Sequence, residues 1–145
     1  MIAFQTIPRD QMLEHARRLF PDECCGFLFG TEDVEGNRNI LEIAEVDNAI
    51  EGDKRRRFEI SPKDYLHAER QAIENDLLLL GIYHSHPNHP AIPSEQDRVA
   101  AQPYFSYIII SVMQGNIHHT RSWRLGEGAR FSEESLSSIH QHQSI

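Results

Sequence analysis

Cysteine is nearly missing from this chain: two among 145 residues, and those two adjacent. Cys24 and Cys25 therefore supply neither a disulfide framework nor the spaced pair of a CxxC metal knuckle, and such usage fits a reducing compartment. Long apolar runs are missing too. The longest, "LLLLGIY" and "YIIISVM", fall far short of the ~20 residues that a membrane span requires. No charged segment followed by an apolar stretch opens the chain, so a cytoplasmic protein with no membrane partner is expected. Positive charge is scarce, with 14 Lys and Arg against 22 Asp and Glu and a net charge of -8. That balance excludes a nucleic-acid binder, which needs a basic surface to neutralise phosphates. Repeats and low-complexity linkers are also lacking. The 39% hydrophobic content suits one domain over 1–145 that buries roughly 70% of its unfolded surface. The polar end "SSIHQHQSI" suggests a frayed terminus from about residue 132.

What is present reads as alternating strands and helices. After an apolar start at Met1 to Phe4, "PRDQMLEHARRLF" spaces Met12, Leu13, Ala16, Leu19 and Phe20 for a helix that Pro21 stops. "CCGFLFG" is a short strand, and the turn residues of "EDVEGNR" return it as a hairpin through "NILEIAEV". "RFEI" reads as a brief strand. A helix follows over "SPKDYLHAERQAIEND", with Ser61 as N-cap, Pro62 at the first helical position and Asp64 completing a capping-box pattern. "LLLLGIYHSH" has the continuous apolar character of a central strand covered on both faces. "SEQDRVAAQ" is a short helix closed by Pro103, and "YFSYIIISVM" and "IHHTRSWRL" are strands joined at "QGN". The fold class expected is α/β (α+β), a mixed sheet with helices on its faces.

The chemistry concentrates between residues 81 and 97. His84 and His86 are two apart on a strand, so both side chains leave the same face, within reach of one ion. The pair His140 and His142 shows the same spacing in a polar tail and carries no such implication. Pro87 ends the strand, and a loop then brings Asp97 to the opening turn of the next helix. Hydrolytic zinc commonly takes three His or carboxylate ligands and keeps a fourth position for water, and His84, His86 and Asp97 would supply that set. Ser94 and Asp97 also form an ordinary [ST]xx[DE] helix cap; beside a metal, the Ser94 hydroxyl could donate to an oxyanion. His89 competes as a ligand but sits in the loop, where an edge-of-pocket role suits it better. Of His118 and His119, adjacent on a strand, at most one can face a site, and structural or exposed roles account for them. A general base is needed near the water. Glu23, at the entry to "CCGFLFG", is the candidate, although Asp22 and other acidic residues compete by position.

Glu23 with "CCGFLFG", then "YHSHP", then "PSEQD", with ten residues between His86 and Asp97, resembles the JAMM motif of the MPN (JAB1/Mov34) metalloproteases. The resemblance spans about residues 23 to 113. It implies a single domain similar in fold to the cytidine deaminases, one Zn2+ per chain with a bound water, His84, His86 and Asp97 as its ligands, Glu23 as acid/base and Ser94 on the oxyanion side. Cys25 falls where such sequences often carry Cys-Gly and is read as a small packed residue. The implied activity is hydrolysis of a peptide or isopeptide bond at the C-terminus of a ubiquitin-like protein. Polyubiquitin-cleaving members are longer around the site. The compact chain is more similar to small bacterial members acting on ubiquitin-like sulfur-carrier proteins, including release of an amino acid such as cysteine. The alternative is a non-catalytic MPN scaffold, members of which usually lack the ligand set. A zinc deaminase is disfavoured, because "HAE" at 67–69 lies within a helix and no PCxxC follows. The basic run Lys54 to Arg57 stays open between a solvated loop and a patch that steers an acidic partner. Oligomeric state is not legible.

Overall fold

The computed structural model describes residues 1–137. Its strands are β1 (Ile2–Phe4), β2 (Cys25–Glu32), β3 (Arg38–Val46), β4 (Leu78–Pro87), β5 (Ser106–Met113), β6 (Asn116–Leu125) and β7 (Phe131–Glu134). Three α-helices lie between them: α1 (Thr6–Leu19), α2 (Pro62–Glu74) and α3 (Glu95–Ala100). One seven-stranded sheet runs in the order β1-β3-β2-β4-β5-β6-β7. The pairs β1/β3 and β4/β5 are parallel, and the other neighbours are antiparallel. The expected mixed sheet with helices on its faces is what forms.

Alternation along the strands sorts side chains into two cores. On one face Met12 and Ala16 of α1 pack with Leu28, Leu80, Tyr83, Ile108 and Ile110. On the other, Ala68 and Ala72 of α2 meet Cys25, Phe27, Phe29, Ile82 and Tyr107. The two alanines, one turn apart, let α2 lie close against the strands. Leu80 and Tyr83 share a face although three residues separate them, because the β2/β4 ladder shifts register between Leu28 and Phe29. Gly26 is required where it stands: a Cβ there would lie 2.4 Å from both the Ala44 carbonyl oxygen and the Tyr83 ring.

Several expectations need correction. "RFEI" forms no strand, because β3, the strand before it, already has β1 on one side and β2 on the other. Phe58 and Ile60 still turn inward. Helix α1 begins two residues earlier than Pro8, which then sits in the first turn where its missing N–H costs nothing. The Ser61 side chain accepts from the Asp64 amide at 3.1 Å, but the Asp64 carboxylate makes no return bond. Within the end expected to fray, residues 131–134 form a strand. β7 pairs with β6, where Glu134 accepts from the Ser122 hydroxyl and Arg124. Beyond β7, Ile2 donates to the Ser135 carbonyl at 2.9 Å and accepts from the Ser137 amide at 2.7 Å, curling the sheet toward closure. His140 and His142 lie outside the described residues.

Candidate active site

β4 occupies the middle of the sheet and runs beside β5 and against β2. Within it, Ser85 points to the face opposite its two neighbours, and its hydroxyl accepts from the Cys24 amide at 2.9 Å. That contact fixes the alternation, so His84 and His86 leave together on the α2 face. Cys25 pairs with His84, and the same antiparallel register carried two residues back sets Glu23 opposite His86. The loop after β4 is held from behind. Trp123 Nε1 donates to the Ala91 carbonyl at 3.0 Å, the His119 ring accepts from the Ala91 amide at 3.3 Å, and Ser111 Oγ donates to the His89 carbonyl at 2.7 Å. His119 thus has a structural role, as one of the readings offered for it.

The loop returns the chain to α3, whose start is a full capping box. Ser94 Oγ accepts from the Asp97 amide at 3.1 Å, and Asp97 Oδ2 accepts from the Ser94 amide at 2.9 Å. The cap aims Asp97 inward: Oδ2 stands 3.1 Å from His86 Nε2 and 3.3 Å from His84 Nε2, and the two ring nitrogens are 3.2 Å apart. The structure therefore brings His84, His86 and Asp97 together, with Glu23 and Ser94 lining the adjoining cleft.

A metal ion fits these three atoms. Ligands around one tetrahedral zinc at ~2.0–2.1 Å are separated by roughly 3.3 Å, close to the spacings found. The protons argue the same way. His86 Nδ1 lies 2.9 Å from the Pro90 carbonyl and Nε2 faces the Asp97 carboxylate. With acceptors on both sides, the ring is satisfied only by a positive charge, either a second proton or a cation in place of the Nε2 proton. Burial works against that charge, but the bonds to Asp97 and the Pro90 carbonyl win and raise His86 above its usual value. Burial lowers His84, against the pull of Asp97. For Asp97, burial opposes ionisation, yet the two histidines and the Ser94 amide hold its carboxyl far below the usual range.

Glu23 is 5% exposed, and its Oε1 is buried with no hydrogen-bond partner. Burial pushes its carboxyl up to about 8; the His86 charge works against this and the Asp97 charge with it. A carboxyl so placed is a proton carrier near neutral pH. It opens on a cleft of about 510 Å³ lined also by Arg55, Arg56, His86, His89, Pro90, Ile92 and Ser94. His89 stands at its edge, outside the three-atom cluster. Ser94 is solvent-exposed, and while its oxygen accepts from Asp97, its own O–H stays available to a molecule in the cleft.

Three contributors were not foreseen. Phe58 stacks on His84, centroids 4.4 Å apart and planes 24° from parallel. The Pro90 carbonyl orients His86. Asn48, 7% exposed, ties Glu23 to a loop: its Nδ2 donates to the Arg57 carbonyl at 2.8 Å and the Glu23 carbonyl at 3.4 Å, while Oδ1 accepts from the Ile50 and Glu59 amides at 3.1 Å each. Only Phe58 left a trace in the sequence, as an apolar residue closing a basic run.

Residues 8–126 match the family described as prokaryotic homologs of the JAB domain. The fold is similar to that of a JAB1/MPN domain protein from Archaeoglobus fulgidus, with a TM-score of 0.58 over 94% of this chain and 97% of the other at 19% identity. A protein from Desulfitobacterium hafniense is nearer in structure, with a TM-score of 0.81, 30% identity and 98% of each chain covered. The class so defined is that of the JAB-domain proteins. Within it the chain belongs to the prokaryotic JAB family. Its relatives include the CysO-cysteine peptidase of Mycobacterium tuberculosis, 29% identical over 90% of this chain and 86% of the relative. The desampylase of Pyrococcus furiosus is 32% identical over 79% of this chain and 74% of that protein.

Proposed function

We propose that the protein is a zinc-dependent peptidase that hydrolyses the bond following the C-terminal glycine of a ubiquitin-like sulfur-carrier protein. The observation carrying this reading is the meeting of Nε2, Nε2 and Oδ2 at 3.1–3.3 Å beside the unpartnered Glu23 carboxyl at the base of an open cleft. His84, His86 and Asp97 would hold the zinc, and Glu23 and Ser94 would act on the substrate. When bound, zinc supplies Lewis acidity toward the carbonyl and a more acidic water.

The chain's own residues account for the proton traffic. Glu23 must start ionised, and a cation held by the cluster lowers its carboxyl in the same direction as the His86 charge does. Ionised Oε1 takes a proton from the attacking water, whose oxygen forms the new C–O bond of the carboxylate product. The C–N bond breaks, and Glu23 gives the proton to the departing nitrogen. The Ser94 O–H donates to the carbonyl oxygen as negative charge develops there. The desampylase and CysO-cysteine peptidase names of the relatives support a ubiquitin-like or sulfur-carrier partner.

The test combines metal content with mass change. Wild type is expected to carry one zinc; His84→Ala and Asp97→Ala should lose it, while Glu23→Gln should keep it and lose hydrolysis. The substrate is a ubiquitin-like protein ending in Gly-Gly and extended by one residue, with removal of that residue read by mass spectrometry. Full activity in metal-free wild type would overturn the zinc assignment, and an intact substrate would overturn the peptidase reading.

A further inference from the structure

The basic run Lys54 to Arg57 divides into residues with different tasks. Arg57 is engaged by Gln96, whose amide oxygen accepts from both Nε and Nη2 at 2.9 Å. Lys54 lines a different cavity, beside Asp22 and Asp47. Arg55 and Arg56 face the catalytic cleft. Among the described residues, the Arg55 guanidinium has no hydrogen bond or ion pair, and Arg56 has only an exposed contact with Asp53 at 3.7 Å. Glu23 is, among the described residues, the one carboxylate that lines this cleft. Among the described residues, Arg55 thus brings a guanidinium without an ion pair to this cleft and Arg56 one held only loosely by Asp53, in a protein whose net charge is -8.

The loop that carries them is tied to Glu23 by backbone contacts. The Glu23 amide donates to the Lys54 carbonyl at 2.7 Å, one residue before Arg55. Ala49 donates to the Glu59 carbonyl at 2.8 Å across the loop's base, and Asn48 binds both of its ends. In the proposed mechanism Glu23 returns its proton to the departing nitrogen, which brings the leaving group to the part of the cleft that Glu23 lines together with Arg55 and Arg56. An α-carboxylate lies two bonds from that nitrogen, and a planar guanidinium is its matched partner.

We propose that Arg55 and Arg56 form a carboxylate subsite for the leaving group, which makes the enzyme selective for releasing a free C-terminal amino acid. This rests on the peptidase reading above. A conjugate through a lysine side chain presents no carboxylate at that place and should be a poor substrate.

The experiment uses the full-length enzyme loaded with zinc and a ubiquitin-like carrier ligated to end in Gly-Gly-Ala, either as the free acid or as the C-terminal amide. Wild type should cleave the acid with a kcat/KM about tenfold or more above the amide, the difference lying mainly in KM. The double variant Arg55→Gln/Arg56→Gln should bring the ratio below about twofold, whereas Arg70→Gln, exposed on α2, should keep it. Calorimetric binding to Glu23→Gln should show the same preference for the acid. Equal cleavage of acid and amide by wild type overturns the subsite and leaves the peptidase reading standing. A double variant that keeps the preference, or that loses both substrates equally through failed docking of the carrier, also overturns it. Discrimination in binding without any turnover by wild type supports the subsite and overturns the peptidase reading.

Discussion

Replacing Asn48 by alanine should separate the holding of the metal from the placing of the base. Asn48 closes four polar contacts: the carbonyls of Glu23 and Arg57, and the amides of Ile50 and Glu59. Each backbone group left without a partner costs about 1–3 kcal/mol when dry and less where water can reach it. Three of the four bonds are only partly buried and the fourth, to the Glu23 carbonyl, is long at 3.4 Å, so at most about 1 kcal/mol applies to each, and about 3–4 kcal/mol is the expected total. For a chain of 145 residues, at ~2–4 °C per kcal/mol, that lowers Tm by roughly 6–16 °C. None of the four contacts touches His84, His86 or Asp97, so zinc content should stay near one per chain. The value of kcat should fall at least about tenfold, because the Glu23 backbone and the loop covering it lose their shared anchor. Scanning calorimetry, metal analysis and steady-state kinetics on one preparation supply the three readouts. A variant within about 1 kcal/mol of wild type, or one that loses zinc while the remaining holoenzyme turns over normally, would refute this reasoning.

Other outcomes follow from burial and charge. In chelated protein, Glu23 has a folded value raised to about 8 from 4.5. Its contribution to stability is therefore fully present below pH 4.5 and lost as pH rises through 8, by about 3–5 kcal/mol. Urea unfolding of the metal-free protein across that range should show this decline relative to Glu23→Gln, and parallel curves for the two proteins would exclude it. Both cysteines are fully buried, and burial pushes the Cys24 thiol up to about 12 and the Cys25 thiol higher still; a disulfide reagent at pH 8 should label neither in the native state and both after unfolding. Gly26→Ala should cost more than about 2 kcal/mol, since its Cβ would meet the Ala44 carbonyl and the Tyr83 ring at 2.4 Å, and an unchanged Tm would show that the strands yield there easily.

The sequence made the middle of the sheet legible and its edges much less so. β4 announced itself by continuous apolar character with two histidines at its end, and helix α2 by Ser61 and Pro62. β7 did not, because an exposed edge strand with one apolar residue, Phe131, carries no periodic signal; its hold comes from Glu134 with Ser122 and Arg124 on β6. "RFEI" had the alternation of a strand, but β3, the strand before it, has a neighbour on each side. Within the site, the spacing of His84, His86 and Asp97 could be read directly, since a strand and a capped turn deliver them locally. Glu23 could not be told from Asp22 by chain position, and what favours it is register: β2 runs against β4 and sets residue 23 beside His86. Phe58 left a weaker trace still and Asn48 none, because their partners lie on other elements.

The closure of the sheet at Ile2 and Leu136 bears on how the molecule would come apart under load. A cellular unfoldase pulling from the C-terminal side must first part Leu136 from Ile2 and then peel β7 from β6, both at the rim. β2, β4 and β5, which carry or border the Glu23 and histidine positions, are interior strands with a neighbour on each side. Traction should therefore consume the rim first, and the strands around the candidate site should be among the last to yield.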